Sequence, residues 1–301
     1  MKSLFLIVLI IFLSSCKEDK PDVDSTVKSG KVMVIGHFYP LWSKNNLRLL
    51  SKKIIEMDDV KKVILASDFI PEPTPGYLKE FNDSFSSILA ENSIDIFYLP
   101  GNHESIKTVY SGGKPRNFFY GNNYENLKEY NISIGNLIFF HDNIRYILFS
   151  DWNYRFSDVN GDYHQPSDKN HFNNYILNFF KNAIQNRTSN FNKTILVLAD
   201  LQDRERLFNG SNKWKKIIEP IIKDNIDYVI IGDNEKSGHN YIWEEFQGVK
   251  YIFQGMTNRD QSAGGAYTYI LIDKDKLSLK HLNLTNSPFD DAYRNRGSFF
   301  D

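Results

Sequence analysis

The chain has 301 residues, a formal charge of −1 and a single cysteine. This length is sufficient for one large domain with a hydrophobic core, or for two small ones. The near-neutral charge gives no basis for binding nucleic acid, and one cysteine excludes a disulfide within the chain.

The first residues predict a targeting segment. Lys2 supplies a positive charge, and residues 4–13 form an apolar stretch that is too short to span a bilayer. The stretch ends in Leu13-Ser14-Ser15-Cys16, which resembles a bacterial lipoprotein lipobox. We therefore predict a signal peptide over residues 1–15 and lipidation of Cys16. The protein would then be anchored to the membrane of the bacterial cell envelope, in the outer membrane.

Residues 16–30 predict a tether, because they are charged, contain proline and lack apolar periodicity. Within this tether, Lys17-Glu18-Asp19 resembles an acidic surface-export signal of some Gram-negative lipoproteins. A solvated spacer accounts for the same residues. Both interpretations of the tether stay open at this point.

From residue 31 onward, buried strands alternate with amphipathic helices. Short apolar runs predict strands over residues 32–35, 63–66 and 94–99, and helical spacing predicts helices over residues 47–57 and 81–89. This βαβαβ order is typical of a parallel sheet with right-handed crossovers.

The second half of the chain predicts a second sheet. Residues 132–134, 137–140 and 146–149 are short strands separated by Gly-Asn and Asp-Asn, which indicates antiparallel hairpins. Further strands are predicted over residues 194–198, 228–231, 249–253, 266–272 and 277–282, and helices over 176–184 and 214–222. We expect an α/β fold in which a two-sheet β-sandwich is flanked by helices (αββα). It would form one domain over residues 31–285, followed by a tail over 286–301.

Polar residues follow the predicted core strands at the points where they end. They are His37, Asp68, the run Gly101-Asn102-His103-Glu104, Asp200, and the pair Asp233 and Glu235. Because the carboxyl ends of parallel strands meet at one edge of a sheet, we expect these side chains to converge. A site rich in carboxylates suits Mg²⁺, Mn²⁺ or Ca²⁺ better than Zn²⁺.

The order of these strand-end residues resembles the calcineurin-like metallophosphoesterases. The pattern of that family is Asp-x-His, Gly-Asp, Gly-Asn-His-Asp/Glu, a lone His and Gly-His-x-His, each after a strand. The resemblance extends over most of residues 31–285, and its one highly specific motif is Gly101-Asn102-His103-Glu104. It implies a two-sheet fold, two divalent metal ions and hydrolysis of phosphate esters.

The resemblance assigns a role to each position. Asp68 matches the carboxylate that bridges the metals, Asn102 matches an Asn ligand, and His103 matches a histidine that acts as general acid or stabilises the transition state. The remaining family ligands are replaced in this chain. His37-Phe38-Tyr39 stands for Asp-x-His, Asp200 for the lone His, and Asp233 with Glu235 for the last two His. Asp200, Asp233, Glu235 and His37 thus remain predicted metal ligands with altered chemistry.

Other interpretations of the same residues stay open. Asp68 could cap a turn, and Gly101-Asn102-His103-Glu104 could be a turn with a structural histidine. A shifted register in Ser237-Gly238-His239-Asn240 would make His239 the missing ligand. The histidines outside the pattern are expected on the surface or in structural positions: His141, His164, His171 and His281.

Two functions are compatible with the sequence. The first is an envelope-anchored, metal-dependent phosphoesterase that acts on an extracytoplasmic phosphomonoester, nucleotide, phosphorylated lipid or glycan. The second is a surface binding module that keeps the fold but has lost catalysis, because most of the family's ligands have changed.

Overall fold

The fold contains two six-stranded sheets. The computed structural model describes residues 29–38, 42–71, 75–101, 132–134, 137–150, 178, 182–183, 191–199, 220–232, 241–246, 248–254, 266–274 and 276–283. Within this part of the chain the strands are β1 (Lys31–Gly36), β2 (Val60–Ala66), β3 (Asp95–Leu99), β4 (Ile132–Ile134), β5 (Leu137–His141), β6 (Ile144–Phe149), β7 (Lys193–Leu198), β8 (Tyr228–Ile231), β9 (Tyr241–Phe246), β10 (Val249–Gln254), β11 (Ala266–Asp273) and β12 (Lys276–Asn283).

Each sheet has a parallel block. The first sheet has the order β12-β11-β1-β2-β3-β4, in which β1 to β4 run parallel and β11 runs antiparallel to β1. The second has the order β5-β6-β7-β8-β10-β9, in which β6, β7, β8 and β10 run parallel. Antiparallel β5 and β9 form its edges. This architecture confirms the expected two-sheet α/β fold.

The alternation of side chains along β1 explains how the layers assemble. Val32 and Val34 lie in an apolar cluster that also contains residues of the second sheet, such as Val197. Met33 and Ile35 point the other way, into the cluster under the helices. A strand that is apolar on both faces is typical of a sheet covered on both sides.

Helices cover the outer face of the first sheet. Helix α1 (Lys44–Glu56) begins after Ser43, whose hydroxyl accepts a hydrogen bond from Asn46 N at 3.1 Å. Helix α2 (Pro75–Phe81) continues through a π-helical turn (Asn82–Ser86) into α3 (Ser87–Glu91). The apolar faces of these helices pack on the sheet through Leu47, Leu50, Ile54, Leu78, Phe81, Phe85 and Leu89. Both helices predicted for this region are present, with earlier starts than expected.

Side chains on the outer face of the second sheet are also buried, for example Ile147 and Leu196. The buried Arg145 on β6 donates a hydrogen bond from Nη1 to Ala183 O at 2.6 Å, within the region predicted as the helix over 176–184. Residues 220–225 are helical, and Ile222 is buried. Among the described residues, no helix is long and apolar enough to cross a bilayer.

Some predicted strand pairings are wrong. We expected residues 132–134 to form a hairpin with 137–140, but β4 pairs in parallel with β3, in the other sheet from β5. Strands β4 and β5, consecutive in the chain, therefore belong to different sheets. Strand β10 pairs in parallel with β8 as well as antiparallel with β9, and β9 was not predicted. Strand propensity is local, whereas the choice of partner depends on distant residues.

The residue that precedes β1 is hydrogen-bonded to the end of β5 in the second sheet. Gly30, the residue before β1, donates its backbone N–H to Asp142 Oδ2 at 3.0 Å, and its carbonyl lies 2.6 Å from Nε2 of the buried His141. Because a carbonyl only accepts, Nε2 carries the proton of this neutral imidazole. Burial lowers the pKa of His141 from its usual 6.5, although Gly30 and Asp142 oppose this shift.

This contact predicts a pH-dependent stability. The unfolded chain binds a proton at His141 more readily than the folded chain does, so the contribution of His141 is complete above about pH 6.5. It is lost as the pH falls through the lower folded-state pKa. Urea unfolding between pH 5 and 7.5 should show a steeper loss of unfolding free energy for the wild type than for His141→Gln, whose amide still donates to Gly30. An equal pH dependence of the unfolding free energy in the two proteins would contradict a buried, neutral His141.

Candidate functional site

The carboxyl ends of strands from both sheets meet at one edge of the fold. Hydrogen bonds continue past the strand ends in both sheets. In the first sheet His37 N donates to Ser67 O at 3.0 Å, and Ser67 N donates to Leu99 O at 2.9 Å. In the second sheet Gly232 N donates to Leu198 O at 2.9 Å. Between the sheets, the Ser150 hydroxyl donates to Pro100 O at 2.6 Å. The edge that the sequence predicts as the site is therefore a real junction of the two sheets.

Glycines allow this close approach. A Cβ atom on Gly36 would overlap the carbonyl oxygen of Gly232 and would lie 2.7 Å from the Cα atom of Gly232. A Cβ atom on Gly232 would overlap Ala66 O and would lie 2.5 Å from Ala66 Cβ. The ends of β1, β2 and β8 thus touch through backbone atoms, with no space for a side chain between them.

Two of the predicted ligands lie side by side at this junction. His37 and Asp68 are both 0% exposed, and His37 Nδ1 lies 3.9 Å from Asp68 Oδ2. This separation is too long for a hydrogen bond between the two side chains, but one ion or atom could contact both of them. The structure thus brings together the ends of β1 and β2 that carry an imidazole and a carboxylate.

The backbone at these residues is unusual. His37, Ser67 and Asp68 have φ values of 49°, 71° and 44°, in the left-handed region that residues other than glycine rarely adopt. Each such residue costs about 1–2 kcal/mol relative to the right-handed conformation. Strained backbone of this kind clusters at functional sites when the surrounding structure holds it in place.

Aromatic packing holds these turns. Phe38 directly follows His37, Phe69 directly follows Asp68, and their rings stack at a centroid distance of 4.9 Å. Phe69 also packs against Phe81 and Phe85 of the helical layer, at 5.7 and 5.1 Å. All four phenylalanines are buried, and burial of each ring contributes about 1.5–3 kcal/mol, so the four rings together are sufficient to offset the backbone strain of the three residues.

Ser67 lies at the candidate site, although the sequence did not predict it. Its hydroxyl is buried and has no hydrogen-bond partner among the described residues. A Cβ atom on Gly101 would overlap both the Ser67 hydroxyl and Asp68 Oδ1, so both oxygens lie against the end of β3. A sequence signal existed: Ser67-Asp68 occupies the place of the family's Gly-Asp, and the serine adds a hydroxyl.

Most other predicted site residues lie outside the described residues. These are Asn102, His103, Glu104, Asp200, Asp233 and Glu235, together with His239 of the alternative register and the lipidation residue Cys16. Their immediate neighbours Gly101, Ala199 and Gly232 are described and lie at the strand ends. Within the described residues alone, no group of three or more His, Cys, Asp or Glu side chains is placed to hold a metal ion.

Comparisons with known proteins agree with this fold. No protein-family model and no curated protein matches the chain. Among solved structures, a dimetal phosphatase from Danio rerio is similar with a TM-score of 0.52 and 11% identity, over 86% of this chain and 99% of that one. GAP50, described as the anchor in the inner membrane complex of Plasmodium, has a TM-score of 0.47 and 13% identity over 86% of each chain.

A 5'-nucleotidase precursor from Thermus thermophilus also has a TM-score of 0.47, with 9% identity over 86% of this chain and 56% of that one. The Danio rerio enzyme, at 11% identity, establishes likeness of fold alone. The chain therefore has the two-sheet α/β fold of metallophosphoesterases, as the sequence resemblance implied.

The glycine contacts predict a large loss of stability on substitution. Gly36→Ala should lower the free energy of unfolding by about 3 kcal/mol or more, because backbone atoms of Gly232 block the new methyl group. Gly248→Ala is the matched control, since Gly248 has a φ of 83° and an added Cβ atom there would meet no atom within 4 Å. It should cost only about 1–2 kcal/mol through backbone strain. Equal losses in urea unfolding of the two variants would refute the proposed close contact.

Proposed function

We propose that the protein is a phosphoric ester hydrolase that requires a divalent cation bound at the junction of the two sheets. The observation that carries this proposal is the buried Asp68 carboxylate beside His37, at the edge where strand ends of both sheets meet. Buried ionisable groups in proteins are usually paired or coordinate metals, and a phosphate ester needs positive charge to bind.

The described side chains are compatible with a hard divalent cation. Asp68 offers carboxylate oxygens, His37 an imidazole, and Ser67 a buried hydroxyl with no hydrogen-bond partner in the described part of the chain. Such a donor set, dominated by oxygen, suits Mn²⁺, Mg²⁺ or Ca²⁺. We propose that Asn102, Asp200, Asp233 and Glu235 complete the ligand set, each following a strand end at this edge.

Each residue has a distinct proposed role. A bound divalent cation supplies charge neutralisation of the phosphate and activation of water. Asp68 holds the cation from the end of β2. His103, next to Asn102 in sequence, donates a proton to the leaving oxygen or stabilises charge that develops on the phosphate.

Anchoring by lipid at Cys16 fits the direction of the strands. The tether joins the fold at Gly30, at the start of β1, whereas Gly36 ends β1 at the candidate site. A six-residue strand separates these ends by roughly 20 Å. The fourteen residues from 16 to 29 reach at most about 50 Å when extended. The site would therefore lie at the edge of the sheet opposite the tether.

A binding module without catalysis is the second candidate. The departures from the family pattern at His37, Asp200 and Asp233 favour it, because they replace ligands of the two metal ions. In this case the junction would bind a partner or ligand without turnover.

The prediction for the enzyme is metal-dependent turnover that requires Asp68. Loss of residues that merely orient metal ligands costs about 10–100-fold, so Asp68→Asn should reduce Mn²⁺-dependent hydrolysis of an aryl phosphate or bis-aryl phosphate by more than about 100-fold. His103→Ala should reduce turnover while leaving Mn²⁺ binding intact. Asp95→Asn is the matched control, because Asp95 lies at the opposite end of β3 and pairs with Lys62 on the surface.

Calorimetric titration with Mn²⁺, Mg²⁺, Ca²⁺ and Zn²⁺ separates the two functions. Metal binding with turnover supports the hydrolase. Protein that binds no metal and hydrolyses neither substrate would leave the binding module as the better account. Turnover that survives in Asp68→Asn would contradict the proposed site.

A further inference from the structure

The Ser67 hydroxyl occupies an unusual position beside Asp68. Both backbone polar groups of Ser67 are already used, since its N–H donates to Leu99 O and its carbonyl accepts from His37 N. Only the hydroxyl remains, and it has no hydrogen-bond partner in the described part of the chain. A buried hydroxyl without a partner is unfavourable, so its retention needs an explanation.

The backbone conformation at Ser67 is a second reason why serine is unfavourable for stability at this position. Ser67 has a φ of 71°, a conformation that glycine adopts without strain. A glycine here would avoid both the strain and the unsatisfied hydroxyl. Backbone folding alone therefore gives no reason for a serine side chain.

The direction of the hydroxyl distinguishes it from another buried serine. Ser84 also has a buried hydroxyl without a partner among the described residues, but it lies in the π-helical turn Asn82–Ser86 and not at a strand end. The Ser67 hydroxyl instead lies with Asp68 Oδ1 against Gly101, where a single added carbon would overlap both oxygens. A neutral oxygen and a carboxylate oxygen thus flank the same point at the end of β3.

We propose that the Ser67 hydroxyl is a direct ligand of the divalent cation held by Asp68. Serine hydroxyls bind Mg²⁺ in phosphate-handling sites, and hard cations take several oxygen ligands at about 2.0–2.6 Å. The cation gives the hydroxyl the partner that it lacks in the described structure. The inference rests on the proposed function, because it assumes a cation at Asp68.

Removal of the hydroxyl tests the ligand role. Calorimetric titration of the full chain with Mn²⁺ should give a dissociation constant at least about tenfold higher for Ser67→Ala and Ser67→Gly than for the wild type. The glycine variant also relieves the backbone strain, so it should bind as weakly as the alanine variant while being more stable than it. Ser84→Ala is the matched control, since it removes a buried unpartnered hydroxyl elsewhere and should bind Mn²⁺ like the wild type.

Replacement of the oxygen by sulfur gives a readout that a purely structural role would not change. Ser67→Cys should bind Mn²⁺ more weakly and Cd²⁺ more tightly than the wild type, with a thiolate-to-cadmium charge-transfer band in the ultraviolet. The wild type, whose only thiol is Cys16, is the control for cadmium binding elsewhere.

The outcomes separate this inference from the proposed function. If the wild type binds Mn²⁺, Asp68→Asn does not, and Ser67→Ala binds like the wild type, the hydroxyl is no ligand and only this inference is overturned. If the wild type binds no Mn²⁺, both proposals are overturned. Weaker Mn²⁺ binding in the alanine, glycine and cysteine variants, together with the cadmium band, supports the ligand role.

Discussion

The candidate site depends on the packing of Phe38 and Phe69 beneath it. His37, Ser67 and Asp68 are held in left-handed backbone conformations, and together these cost about 3–6 kcal/mol. The two aromatic rings that follow them stack on each other and on the helical layer. Their burial contributes about 3–6 kcal/mol, and the neighbouring Phe81, Phe85 and Tyr98 rings add contacts of their own. The geometry of the buried carboxylate and imidazole is thus fixed by core packing on one side.

Contact between the two sheets restricts the strand ends at the candidate site. Gly36, Gly232 and Ala66 touch through backbone atoms, so the strand ends that carry polar residues cannot separate without opening the fold. This contact leaves no space for a side chain between the ends of β1, β2 and β8. It also explains why the polar residues follow strand ends, where the chain leaves the sheet and side chains can turn toward a ligand.

The sequence was sufficient for much of the fold and for part of the site. Apolar runs and helical spacing are local properties, so the strands ending at Gly36, Ala66 and Leu99 and the helices between them could be predicted. Asp68 was assigned to the same edge as the run that begins at Gly101, and the structure places Asp68 against Gly101. The partner of β4 could not be predicted, because pairing depends on residues distant in sequence.

The conformation of the site could not be predicted for a related reason. Left-handed backbone at His37, Ser67 and Asp68 is unfavourable for these residue types, and it persists only because Phe38 and Phe69 are buried in a core built from distant elements. The Ser67 hydroxyl can be recognised as a possible ligand only when its position beside Gly101 is known. Local patterns identify such residues as polar strand ends but do not give their orientation.

We propose above all that Asp68 holds a divalent cation where the strand ends of the two sheets meet. Anomalous diffraction from crystals of the protein soaked in Mn²⁺ tests it most directly. We expect a manganese peak about 2.0–2.6 Å from an Asp68 carboxylate oxygen. Crystals that bind manganese only elsewhere, or not at all from a saturating soak, would contradict the account.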